Sequence, residues 1–171
     1  MIALFETIGG WYKLLLVLHI LSVVVGIGAV MLNGLYAAQA QKREGPAARA
    51  VLEANFYVSN VAEFVIYTIP VWGILLVLAS HDAIKFDQTW IWLSLLLYVV
   101  ALGISHGVMI PGSKRIIALM SEIEQGPPPA GGPPPQVTEI EAIGKRLGAG
   151  GAALDIIVVV IIALMVAKPG L

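Results

Sequence analysis

WIWLSLLLYVVALGISHGVMI, residues Trp90–Ile110, decides the fold. Its 21 residues contain no Asp, Glu, Lys or Arg. A helix needs about 20 mostly apolar residues to cross a hydrocarbon core about 30 Å thick. Lipid offers the backbone no hydrogen-bond partner, so such a stretch has to bond to itself as a helix. Three more stretches have the same character: Leu14–Leu35, Phe56–Ala79 and Gly148–Ala167. The expectation is an all-α, four-transmembrane-helix bundle forming one integral membrane domain over residues 1–171. Composition agrees. The chain is 58% hydrophobic and 12% charged, with mean hydropathy +0.89, where soluble domains carry about 45–50% apolar and about 25% charged residues.

Net charge is −1, which lacks the basic excess of a nucleic-acid binder. The chain has no Cys, so disulfides, thiolate metal sites, covalent haem and Cys nucleophiles are excluded. Motifs for phosphate binding and for zinc hydrolysis are missing, and Ser22, Ser94 and Ser105 have no triad partners. The first span carries Glu6 upstream of it, where a signal peptide would be basic, and is expected to be retained.

Basic residues set orientation. Lys42, Arg43, Arg49, Lys114, Arg115, Lys145 and Arg146 fall in the two longer loops, against Lys13, Lys85 and Lys168 on the other side. This split of seven to three predicts both termini outside and both loops in the cytoplasm. Trp11, Tyr12, Trp90 and Trp92 fall where an outer aromatic belt is expected. Residues 126–136, GPPPAGGPPPQ, read as a Pro/Gly-rich cytoplasmic linker, with docking of a proline-recognition domain as a sharper alternative. Lys114–Glu124 and Val137–Arg146 read as helical extensions on either side of it, and His81 with Asp82 as a solvated turn.

An ionisable side chain near the bilayer centre costs about 2.5–3.5 kcal/mol on insertion scales. Counting from each span's midpoint, Glu63, His106 and Asp155 lie about 7, 9 and 4 Å toward the cytoplasmic side, whereas His19 lies about 8 Å toward the outside. Glu63, His106 and Asp155 are therefore expected to form an intramembrane polar cluster on three helices. Either it fixes register, or it binds a proton or cation, or it lines a cofactor pocket. His19 reads as a residue bonded to a neighbouring helix or as a ligand for haem b. The offset of about 17 Å between His19 and His106 argues against a clamp between the two. Small and polar residues recur at helical spacing: His19, Ser22, Gly26, Ala29 and Asn33; Asn60, Glu63, Tyr67 and Pro70; Tyr98, Ala101 and Ser105; Gly144, Gly148, Ala152 and Asp155. Such stripes mark helix contacts in lipid, so all four are expected to face one another, with Gly26, Asn33, Pro70 and Gly148 as packing positions.

The order LHILSVVVGIG (18–28), YTIPVWGILLVL (67–78), WIWLSLLLYVVALG (90–103), MIPGSKR (109–115) and LMVAKP (164–169) resembles one bacterial family of integral membrane proteins, domain of unknown function 2269. The resemblance covers nearly the whole chain apart from the proline-rich loop, and it implies that His19, Pro70 and Pro111 are family positions. It also implies the bacterial cytoplasmic (inner) membrane. A looser similarity of the "LH" step to copper-resistance D and membrane protoporphyrinogen-oxidase proteins implies haem or copper handling. The leading expectation is a non-catalytic subunit or scaffold that meets the lipid bilayer and either self-associates or joins a larger membrane complex, such as a respiratory assembly. The alternatives are a haem-b or redox protein using His19, and a proton-coupled transporter or channel using Glu63, His106 and Asp155.

Overall fold

A computed structural model describes residues 9–126, 132 and 134–169. Four long helices carry the fold: α1 Gly10–Ala40, α2 Gly45–Leu78, α3 Thr89–Gln125 and α4 Pro135–Ala167. All are long and apolar enough to cross a membrane, and no strand occurs among the described residues. Each expected span falls on one helix, the second overrunning α2 by Ala79 alone, and the helices are longer than the spans. The 34 residues of α2 rise about 50 Å, well beyond the hydrocarbon core. The surplus is at the end bearing Arg49, Lys114, Arg115, Lys145 and Arg146, referred to below as the basic end.

Local chemistry explains the boundaries. Pro46 and Pro135 stand in the first turns of α2 and α4, where a missing N–H costs nothing. Past α2, the Ser80 hydroxyl donates to the Val77 carbonyl at 2.7 Å and accepts the Ile84 N–H at 3.0 Å. His81 and Asp82 then adopt positive φ (48° and 64°) and turn the chain into α3. The expected linker overlaps the described residues only in part. Residues 127–131 and 133 lie outside them, and Pro135 and Gln136 already belong to α4. Proline restricts what precedes it but favours a helix that starts with it.

Successive helices run antiparallel. α1 packs along α2, and α4 packs along α3. α2 and α3 meet chiefly through the Ile110–Gln125 part of α3, so the sequence divides into two hairpins joined at the basic end. Two arginine forks lie at that end. Arg49 binds Glu124 through Nη2 at 3.0 Å and Nε at 3.2 Å, linking α2 to α3. Arg115 binds Glu139 through Nε at 2.8 Å and Nη2 at 3.2 Å, linking α3 to α4. Their hydrogen bond holds the Glu139 carboxyl below the usual carboxylate range and raises Arg115 further. Trp90, in the first turn of α3, is buried, and Lys168 Nζ lies 5.5 Å above its ring, while Trp11 and Trp92 are exposed.

Candidate functional site

The α1–α2 seam is built from the predicted stripe of α1. Gly26 is buried, and a methyl group there would sit 2.9 Å from Ile66 Cγ1 and 3.2 Å from the Ile66 nitrogen. Only a glycine allows the backbones this approach. Ser22 and Thr68 pair their hydroxyls at 3.0 Å, and Ser59 donates to Asn33 Oδ1 at 3.1 Å. His19 Nδ1 donates to the Ile69 carbonyl at 3.0 Å. Gly73 makes room for this, because a Cβ at that position would be 3.3 Å from the His19 ring. The bond fixes the tautomer: Nδ1 carries hydrogen, so Nε2 presents its lone pair.

Pro70 lies inside α2 without ending it. Proline has no N–H, so the carbonyl four residues earlier, Ile66, loses its helical donor. Tyr98 of α3 supplies one, its hydroxyl lying 3.2 Å from that oxygen. The acceptor that Pro70 leaves free thus ties α2 to α3.

Toward the basic end from Tyr98, α3 widens into a π turn at Ser105–Met109 that contains His106. Such turns are frequent at functional sites. His106 Nδ1 lies 2.9 Å from the Leu102 carbonyl, which can only accept. Its Nε2 lies 2.8 Å from the Tyr67 hydroxyl and 3.3 Å from Glu63 Oε1. The Tyr67 and His106 rings stack with centroids 6.2 Å apart. Glu63 is 17% exposed and His106 50%, so the carboxyl is sunk between the helices while the imidazole looks outward. Glu63 Oε1 is buried and has no hydrogen-bond partner of good geometry.

The structure therefore brings together Glu63 and His106 and adds Tyr67, which the sequence put in a stripe without a role. Asp155 is not among them. It is exposed and makes no hydrogen bond or ion pair among the described residues. The expectation that all four stripes face one another needs the same correction. Gly144 and Gly148 meet open space, and Ala152 is exposed. α4 turns a different face to α3: Ile143 and Leu147 pack at Gly112, while Gly150 receives Met109 and Val108. Large side chains set into glycine notches outcompeted a small-on-small contact, because they bring more apolar surface together. Gly148 consequently has no packing partner within the chain.

No group of three or more potential metal ligands occurs among the described residues. A cavity of about 340 Å³ opens between α2 and α3 at the basic end, lined by Arg49, Glu53, Phe56, Lys114 and Ser121 among others.

Residues 13–169 match the family described as predicted integral membrane protein (DUF2269). The chain belongs to this family. The match spans all four helices of this DUF2269 protein, including the α1–α2 seam, the Glu63–Tyr67–His106 contact and the exposed stripe of α4. No curated protein and no solved structure matches the chain.

Proposed function

We propose that this protein is a non-catalytic membrane subunit whose α4 docks against another membrane-embedded chain, either a second copy or a larger assembly. The observation that carries this reading is Asp155, an exposed carboxyl group within a span and without a partner among the described residues. Facing lipid, it would incur an insertion cost of about 2.5–3.5 kcal/mol. Facing another helix, it can hydrogen-bond, and Gly144, Gly148 and Ala152 beside it let that helix come close. In this reading both termini lie outside a bacterial cytoplasmic membrane, in keeping with the basic loops.

The chain lacks Cys, so single cysteines report cleanly. Ala152→Cys is expected to crosslink in native membranes, to itself in a homodimer or to a co-purifying subunit identified by mass spectrometry. Cysteine at exposed Val159, farther along α4, serves as a second site. A monomer at both positions, with no stoichiometric companion after gentle purification, would refute the docking. For orientation, Ala83→Cys should react with an impermeant thiol reagent in intact cells and Ala47→Cys should not.

One observation favours a second reading, haem b held by His19. A ligating imidazole commonly spends its other nitrogen on a carbonyl, as His19 does with Ile69. His106 offers no second ligand, since its Nε2 is engaged by Tyr67 and Glu63. Haem on His19 would supply one-electron or small-molecule chemistry. A Soret band lost in His19→Ala would support it, and a colourless protein made with ample haem would exclude it.

A further inference from the structure

We propose that Glu63, Tyr67 and His106 form an intramembrane site for one exchangeable proton, reached from the basic end. The inference is independent of what covers α4. It follows from counting hydrogens. The Leu102 carbonyl keeps a hydrogen on His106 Nδ1, so in the neutral ring Nε2 is a bare lone pair. The Tyr67 hydroxyl can donate to it across 2.8 Å. Glu63 Oε1, 3.3 Å away and without a hydrogen-bond partner of good geometry, then competes with that nitrogen for the single Tyr67 hydrogen. As a carboxylate it would bring a second lone pair and a full charge into the span. One added proton resolves the conflict in either position. On Nε2 it makes an imidazolium that donates to Glu63. On Glu63 it makes a carboxylic acid that donates to Nε2 or to the Tyr67 oxygen. The occupied site is neutral overall and the empty one carries a single negative charge. Binding forms one N–H or O–H bond, and no electron moves.

The surroundings isolate this equilibrium. α2 contributes Glu63 and Tyr67. α3 contributes His106 and Tyr98, whose hydroxyl is committed to Ile66. Among the described residues no Lys or Arg pairs with the trio, and neither α1 nor α4 sends a hydrogen bond or ion pair to it. Access is from the basic end. The half-exposed face of His106 at the π turn lies within the span, where it meets lipid or a neighbouring chain and no water. The cavity lined by Glu53 and Lys114 lies in the same α2–α3 interface, about 12–15 Å nearer the basic end by helical rise. Asn60, one turn from Glu63 on the same stripe, stands between them.

The test uses the full chain in lipid nanodiscs. Infrared difference spectra between two pH values are expected to show a carboxyl band that disappears completely in Glu63→Gln, is strongly altered in His106→Gln, and persists in Asp155→Asn. Tyr67→Phe should shift the midpoint and keep the amplitude. A spectrum unchanged by Glu63→Gln, or a band lost in Asp155→Asn instead, would overturn the proposal. Should the variants fail to fold, ¹⁵N-histidine resonances of a chain carrying His19→Gln and His81→Gln, in which His106 is the one histidine left, decide between about pH 5 and 8, where imidazoles titrate. Gain and loss of the Nε2 proton on a ring whose Nδ1 stays protonated supports the site. A ring that loses the Nδ1 proton refutes it, as does a ring that never changes state in a chain whose carboxyl infrared band is also constant with pH.

Discussion

The α1–α2 seam and the free face of α4 are written in the same residues and end differently. Each has small residues at helical spacing and polar groups in line with them. In the seam, Gly26 lies against Ile66, Ser22 against Thr68, Asn33 against Ser59, and His19 against the Ile69 carbonyl. On α4, Gly144 and Gly148 meet nothing and Asp155 is exposed. A small-and-polar stripe therefore announces a helix contact without naming the helix. The seam found its partner within the chain because a short connection holds α1 beside α2. The stripe of α4 lost that competition, since the glycine notches of the α3–α4 interface lie on another face.

Substitution can break this contrast directly. Gly26→Leu should be the most damaging change, because the new side chain would meet the Ile66 backbone as well as its flexible tip. Overpacking costs about 1–3 kcal/mol and more where backbone must shift. Thermal unfolding in detergent is expected to show a large loss. Gly148→Leu, placed in open space, should leave detergent stability unchanged within about 0.5 kcal/mol and affect only assembly in membranes. Equal damage from the two would mean that α4 packs within the chain after all.

A smaller effect tests the link between the hairpins. Tyr98→Phe removes the donor that Pro70 makes necessary at Ile66, at a cost of about 1 kcal/mol. In a Pro70→Ala background the helix N–H returns to that carbonyl, so the same change should cost close to nothing. A double-mutant cycle measures the difference. Additive effects would show that the Tyr98 bond to Ile66 contributes nothing specific.

The smallest expected effect is at the basic end. Glu139 is held below the usual carboxylate range by Arg115, so the native state favours its ionised form. That stabilisation is present at neutral pH and is lost as pH falls through the lowered native value. The pair is exposed, so the contribution is modest and weakens with salt. Glu139→Gln should flatten the acid limb of stability against pH at low ionic strength and do little at high salt. An unchanged acid limb would leave α3 and α4 held by apolar packing alone.

The four spans could be read from Trp90–Ile110 and its three counterparts, because lipid imposes length and apolarity on every crossing helix. The polar residues needing an account, His19, Glu63, His106 and Asp155, stood out for the same reason. Depth along each helix also followed from counting residues. Direction around the helix axis did not. Tyr67 completes the Glu63–His106 contact at a π turn, Ser105–Met109, which no residue spacing announces, and Asp155 points elsewhere because α4 turns a different face to α3. Trp90 is buried against Lys168 because the end of α4 reaches it, which its place in the sequence does not announce. The sequence by itself determined how many helices cross, how far each polar group lies along them, and which family the chain joins. Only the tertiary structure decided which stripes meet, because rise along a helix is local geometry, whereas rotation and pairing are set by competition among all the faces that could pack.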